Sequence, residues 1–369
     1  MICALGCLAF SAQMQAATDT PDPGSVGPTN TADGDSALPG ATGFYNSAFG
    51  FLSLFSNGAA SFNTGVGAGS LFSNVDAIEN TAVGSGALFS SNGASNTAVG
   101  AFALFSNTTG MNNVAVGLNT LLTNTIGAQN TAIGNNALIN NTEGNINTAL
   151  GGQTLVMNTT GSQNTAVGKA TLINNTTGSS NTALGFNSGN NVVTASNVIC
   201  IGNPGDEVSS TTWVGNVFGV TTVSGTTAPV IVSDTGQLGT VASSERFKKD
   251  ISTMDRASEV ILALRPVTFH YKSDVKDTPQ FGLIAEEVAK VNPSLVLPDK
   301  EGKPYTVRYD AVNAMLLNEF LKEHRTVQEQ QKEIDALKAE LKEHASQIQK
   351  VSAQLQLSKP EPQTVQNNR

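Results

Sequence analysis

Serine and lysine lie five residues apart in the segment Ser243-Ser-Glu-Arg246-Phe-Lys248, and together they could form a peptide-cleaving pair. A serine hydroxyl becomes a nucleophile when a base takes its proton, and lysine is such a base where burial or neighbouring cations favour its neutral form. Arg246 and Lys249 flank Lys248 and could have that effect, or Arg246 could stabilise an oxyanion. Taken alone, the segment fits a helix N-cap with solvated charges better than a catalytic pair.

Other catalytic and metal-binding arrangements find little support in the sequence. His270 falls in a segment of alternating apolar residues, and His324 and His344 lie on a predicted C-terminal helix, so no serine–histidine–aspartate triad is indicated. Cys3 and Cys7 fall in an N-terminal apolar run. If that run is removed on export, Cys200 is the only cysteine left, which excludes a cysteine metal site and an intramolecular disulfide. We expect no metal and no cofactor.

Three further motifs follow the serine–lysine segment in order: Ile261-Leu-Ala-Leu-Arg-Pro-Val-Thr-Phe-His-Tyr271, Phe281-Gly-Leu-Ile-Ala-Glu-Glu-Val288 and Val307-Arg-Tyr309. The set resembles the intramolecular chaperone domain of endosialidases and phage tail spikes, a self-cleaving peptidase family, over residues 243–325. The resemblance implies that Ser243 and Lys248 form a catalytic dyad, which cuts its own chain once between Ser243 and Ser244. Many members have Asp at the position of Ser244, so Ser244 is a second candidate nucleophile.

From Tyr309 onward the pattern is helical. Apolar residues follow alternating steps of three and four at Leu316, Phe320, Val327, Ile334, Leu337, Leu341, Ile348, Val351 and Leu355. Glu323, Gln330 and His344 occupy the remaining positions of this seam. The heptad pattern predicts a coiled-coil helix over residues 310–357, and the alternative is a lone amphipathic helix packed on its own domain. Polar seam positions weaken a coiled coil, which suits a temporary trimer.

The region before residue 204 is a tandem repeat of 17 residues, shortened to 16 at two places. An Asn marks each unit, and x-Ala-apolar-Gly follows it in most of them; the Asn positions are 46, 63, 80, 96, 113, 130, 147, 164, 181 and 197. Eight residues later comes a Leu, followed by another apolar residue. Gly and Asn at fixed offsets favour turns, so each unit predicts one rung of a parallel β-solenoid. We expect two short strands per rung, one at Ala-Val and one at Leu-Phe.

Adjacent strand residues point to opposite faces, so one residue of each Leu-Phe pair should point into the coil and the other outward. A column of eight outward apolar residues needs a partner surface, which packing of identical coils around a three-fold axis would provide. The Asn-Thr-Ala-Val-Gly units with a following Ala-Leu resemble the head repeats of trimeric autotransporter adhesins over about residues 43–203. That resemblance implies a trimer of left-handed β-rolls.

Charge divides the chain near residue 243. Residues 1–243 contain one basic residue, Lys169, and ten acidic residues, so they hold the whole net charge of −9. Residues 244–369 are neutral but densely charged. The acidic excess argues against a nucleic-acid partner, and no apolar run is long enough to span a bilayer as a helix.

These patterns give a predicted domain order. Residues 1–17 are typical of a signal peptide, and residues 18–42, rich in Pro, Gly, Asp and Thr, of a disordered linker. The order continues with the β-roll head at 43–203, a β stem at 204–243, the self-cleaving α+β chaperone domain at 244–309, the coiled-coil helix at 310–357 and a disordered tail at 358–369.

The sequence therefore predicts a mainly β, homotrimeric fibre of structural or adhesive function, secreted, at a cell surface or on a virion. Its C-terminal module would direct trimer folding and then release itself by autoproteolysis. The ligand of the head is not indicated. The alternative is a phage or prophage tail spike that acts on surface polysaccharide. Such a spike needs paired carboxylates in a cleft, and the repeats contain only Asp76, Glu79 and Glu143 as acids.

Overall fold

The computed structural model of the chain describes residues 29–220 and 226–357. The chain divides into two compact units between Thr227 and Ala228. The predicted signal peptide, the first part of the predicted linker and the predicted C-terminal tail lie outside the described residues. In the described part of the chain, no helix is both long enough and apolar enough to cross a membrane.

The first unit is a parallel β-solenoid, as the repeats predict. Each turn of about 17 residues contributes one three-residue strand to a single twelve-stranded parallel sheet, and the strand order follows the chain. Equivalent residues stack in register, so that Ala132 lies opposite Ala149, and Ala149 opposite Ala166. The strands are β1 Thr31–Asp33, β2 Ser47–Phe49, β3 Thr64–Val66, β4 Thr81–Val83, β5 Thr97–Val99, β6 Val114–Val116, β7 Thr131–Ile133, β8 Thr148–Leu150, β9 Thr165–Val167, β10 Thr182–Leu184, β11 Ile199–Ile201 and β12 Thr212–Val214.

The expected second strand of each rung is absent, because the repeat leucine has a left-handed backbone. The φ angles of Leu54, Leu71, Leu88, Leu104, Leu121, Leu138, Leu155 and Leu172 lie between 48° and 53°, which no β-strand residue adopts. Each of these leucines is buried in the core of the coil. The Leu121 N–H donates to the Ala137 carbonyl of the next turn at 3.0 Å, and the other turns repeat this bond. Burial and the inter-turn hydrogen bond hold a conformation that leucine otherwise avoids.

Buried asparagines stack into a ladder along the coil. The backbone N–H of Asn130 donates to Asn113 Oδ1 at 3.0 Å, and Asn130 Nδ2 donates to the Gly144 carbonyl at 2.8 Å. A second column, which includes Asn124 and Asn141, is joined in the same way, with Asn141 Nδ2 donating to Asn124 Oδ1 at 2.8 Å. Polar groups in a dry core are stable only when paired, and the ladder provides that pairing.

The solenoid extends beyond the predicted head at both ends. Strand β1 lies inside the segment 18–42, which was expected to be disordered, and Asn30 Oδ1 accepts the Asn46 N–H at 2.8 Å just as the repeat asparagines do. Strand β12 lies inside the predicted stem, where Trp213 pairs with Cys200 of β11. The N-terminal turn continues the repeat as Asn30-Thr-Ala-Asp-Gly34, with a buried Leu38 at positive φ eight residues after Asn30. The turn at β12 departs from the motif, but backbone hydrogen bonds between turns need only an extended segment in register.

The second unit combines short hairpins, 3₁₀ segments and a long helix. The antiparallel pairs are β13 Ile231–Val232 with β14 Leu238–Gly239, β15 Val267–Phe269 with β16 Gln280–Gly282, and β17 Val296–Pro298 with β18 Pro304–Val307. The helices are α1 Ala285–Val291 and α2 Tyr309–Leu357, and the 3₁₀ segments are Glu245–Phe247, Asp255–Ala263 and Pro293–Leu295. A small core forms around Val288, Leu295 and Val307.

Candidate functional site

A tight turn brings the two predicted catalytic residues together. Ser244 precedes the 3₁₀ segment Glu245–Phe247, and its carbonyl accepts the Phe247 N–H at 3.1 Å. The Lys248 N–H then donates to the Glu245 carbonyl at 2.9 Å. This turn folds the chain back, so that Lys248 Nζ donates to Ser243 Oγ at 3.4 Å. A lysine and a serine hydroxyl thus lie at the outer limit of hydrogen-bond distance, directly beside the predicted scissile bond.

The whole segment is exposed in the single chain. Ser243, Ser244 and Lys248 all face solvent. In general a lysine acts as a base only in its neutral form, which apolar surroundings favour and water does not. A single chain therefore supplies the contact between serine and lysine but not the shielded environment that the chemistry requires.

Arg246 lies apart from this pair. Its guanidinium carbon lies 4.6 Å from the centroid of the Phe247 ring, which is a cation–π contact. The structure describes no hydrogen bond from Arg246 to Ser243 or Lys248. The supporting role of Arg246 in the reaction stays a prediction.

A polar cluster that the sequence does not reveal lies downstream of the pair. Ser258, in the 3₁₀ segment Asp255–Ala263, is fully buried, and its hydroxyl donates to Glu319 on α2. Asn318 Nδ2 donates to Ser258 Oγ at 2.7 Å, and Lys322 Nζ donates to Glu319 Oε1 at 2.8 Å. The hydrogen bonds from Lys322 and Ser258 lower the pKa of Glu319. Because these partners lie about sixty residues apart, no local pattern signals them, and the cluster fixes this 3₁₀ segment to the helix.

Two apolar stripes run along the outside of the solenoid. In one, the rings of Phe55, Phe72, Phe89 and Phe105 stack with centroid distances of 4.8–5.2 Å, and Leu122, Ile139, Val156 and Ile173 continue the column. This is the outward column that the repeat predicts. The second stripe is formed by the last residue of each strand from β2 to β12, including Val83, Ile133 and Leu184, which are more than one third exposed. Sequence reasoning missed this stripe, although the strand alternation contains its signal.

Comparison with known families gives a match in the second unit. Residues 243–297 match the family described as chaperone of endosialidase, Peptidase_S74. The match begins at Ser243 and comes after the solenoid in the sequence, which fits a C-terminal chaperone domain after a repeat region. The family name implies a self-cleaving peptidase domain. Neither the curated proteins nor the solved structures give a match to this chain.

Proposed function

We propose that this protein is a homotrimeric fibre at a cell surface or on a virion, whose C-terminal module aligns three chains and then separates by self-cleavage. The observation that carries the proposal is the contact between Lys248 Nζ and Ser243 Oγ, at the first residue of the matched chaperone segment. Cleavage would leave the solenoid as the mature fibre, and the module would act once.

Exposed apolar surface supports assembly of the C-terminal module. In the described part of the second unit, only Val288, Leu295 and Val307 are buried apolar side chains. Such a core is small for a unit of this length, and stability would have to come from partner chains. The seam of α2 is exposed along its length, with Phe320, Ile334 and Ile348 among its members. Three helices packed through this seam would bury it.

The solenoid stripes support the same symmetry. In a closed ring of three identical chains, each chain meets its neighbours through two different surfaces. The phenylalanine column and the strand-end stripe are two such surfaces, and both are apolar over most of the solenoid. We assign one stripe of each chain to contact the other stripe of the next chain.

The reaction would proceed through an ester. A serine hydroxyl attacks the carbonyl carbon of the peptide bond between Ser243 and Ser244, and its proton passes to neutral Lys248. The carbon–nitrogen bond then breaks, Lys248 returns the proton to the leaving amine of Ser244, and water hydrolyses the ester. This path regenerates the serine and leaves a carboxylate at Ser243.

Ring strain bears on the identity of the nucleophile. The scissile carbonyl belongs to Ser243, so attack by the hydroxyl of the same residue closes a four-membered ring. The Ser243 hydroxyl of a neighbouring chain avoids that strain, and the Ser244 hydroxyl would close a five-membered ring. Both routes fit a reaction that waits for trimer assembly, because assembly would also shield Lys248 from water.

Denaturing gels and intact mass of the purified protein test the proposal. Wild-type protein should yield a C-terminal fragment that begins at Ser244, and Lys248→Ala should yield only the full-length chain. Lys300→Ala is the matched control, since it removes an exposed lysine outside the Ser243–Lys249 segment and should leave cleavage intact. Ser243→Ala and Ser244→Ala then distinguish the two nucleophiles. Full-length mass alone from folded, trimeric wild-type protein would exclude autoproteolysis.

A further inference from the structure

Helix α2 carries one histidine on its coiled-coil seam. The helix runs without interruption from Tyr309 to Leu357, and its seam follows alternating steps of three and four. His344 occupies a seam position between Leu341 and Ile348, and both of these apolar neighbours are exposed in the single chain. The described structure gives the His344 ring no hydrogen bond. By contrast His324, which lies beside the seam, contacts Gln328 at 3.0 Å and stacks on Phe320.

Charge beside the seam favours parallel helices in register. In a parallel coiled coil, heptad position g of one helix lies near position e of the next heptad on the neighbouring helix, five residues later in the sequence. Glu333 and Lys338 have this spacing and opposite charge. The same residue of every chain would then meet at one level along the axis, so three copies of His344 would form one layer.

Apolar side chains would enclose most of that layer. Leu341 and Ile348 would lie above and below it, and the small side chain of Ala345 would flank it. Glu340 and Gln347 lie one helical turn from His344 toward the rim of the seam. Neutral imidazole binds zinc and other borderline divalent metals, and three nitrogen ligands leave the fourth position of a tetrahedral zinc ion open.

We infer that the coiled coil of the C-terminal module contains a three-histidine site for a divalent transition metal of the zinc class, with one His344 from each chain. The inference rests on the proposed trimer, and it departs from the expectation of no metal that the sequence of one chain gives. Within one chain, the described residues contain no group of three metal-ligating side chains, so the site would exist only in the assembly. A bound ion would connect the three helices directly and stabilise their register.

Zinc titration of the uncleaved Lys248→Ala chain, purified without a histidine tag, tests the site, and the variants below are made in this background. Calorimetry should give one Zn²⁺ per three chains, and zinc should raise the melting temperature of the helical signal. Co²⁺ in place of zinc should give the visible absorption of a tetrahedral site. His344→Leu should remove binding and the zinc-dependent shift, while the trimer persists because leucine suits the seam. His344→Gln, which repeats the residue at Gln330, should do the same.

His324→Leu is the matched control and should keep the stoichiometry of one zinc per three chains. Sedimentation equilibrium without metal measures the oligomeric state independently. A trimer that binds no zinc at this stoichiometry overturns the site and leaves the proposed fibre function standing. Binding that persists in His344→Leu also overturns the site. A monomer or dimer would contradict both the site and the proposed trimer.

Discussion

The asparagine ladder should contribute strongly to solenoid stability, and Asn130→Ala tests this. Four hydrogen bonds involve the Asn130 side chain: Nδ2 donates to Asn113 Oδ1 and the Gly144 carbonyl, and Oδ1 accepts from the N–H and Nδ2 of Asn147. After substitution the Gly144 carbonyl still accepts from Asn141, and Asn147 Nδ2 still donates to Gly161. The buried Asn147 backbone N–H is then left without its acceptor.

The expected loss follows from these contacts. A buried donor without an acceptor costs about 1–3 kcal/mol, and a neutral hydrogen bond in the remaining network contributes about 1 kcal/mol. With the cavity that alanine leaves, we expect a local destabilisation of about 3 kcal/mol. Since every 1.4 kcal/mol is tenfold in an equilibrium, amide exchange through local opening should accelerate by about a hundredfold.

Hydrogen–deuterium exchange of native protein, followed by mass spectrometry of the peptide containing Asn147, measures the effect without global unfolding. Asn135→Ala is the matched control, because Asn135 is an exposed residue of the same turn and should change stability by less than about 0.5 kcal/mol. Equal exchange in the two variants would refute the role assigned to the ladder.

Three further outcomes are expected. Desolvation raises the pKa of Glu207, but hydrogen bonds from Thr194, Val193 and Ala195 outweigh it and hold that pKa below its usual range. The carboxylate therefore stabilises the last turns above about pH 4.3, and this stability is lost as pH falls through the lowered pKa. Glu207→Gln should remove this pH dependence from thermal melts. Gly134→Ala should destabilise the solenoid by about 3 kcal/mol or more. Gly134 has a φ of +133°, and a Cβ there would lie 2.5 Å from the Gly151 carbonyl carbon. Gly152→Ala should be tolerated in the same melts, because the nearest atom to a Cβ at Gly152 lies 3.8 Å away. A chain that ends at Ser243 should misassemble or aggregate, as measured by light scattering, because a register slip by one whole turn costs little free energy locally. Folding of this chain to the same trimer at the wild-type rate would show that residues 244–369 are not a chaperone.

The sequence by itself determines the solenoid and the identity of the C-terminal segment. A period of 17 with Ala, Leu and Asn at fixed offsets leaves few ways to bury apolar columns, and a parallel coil is the simplest of them. The pairing of buried Leu54 with outward Phe55 follows from this pattern, and the structure agrees. The motif from Ser243 onward is likewise sufficient to indicate the chaperone family.

Only the tertiary structure decides how each turn is built and where the coil ends. Local propensity disfavours leucine at positive φ, and Leu121 adopts it because burial and a hydrogen bond to the next turn outweigh the steric strain. Strand β12 forms although its sequence departs from the repeat, because the adjacent turn presents unpaired backbone groups that an extended segment can satisfy. Strand β1, by contrast, continues the repeat in the segment Asn30-Thr-Ala-Asp-Gly34. The 3.4 Å between Lys248 Nζ and Ser243 Oγ also depends on the turn through Glu245–Phe247, since spacing along a chain does not determine distance in space.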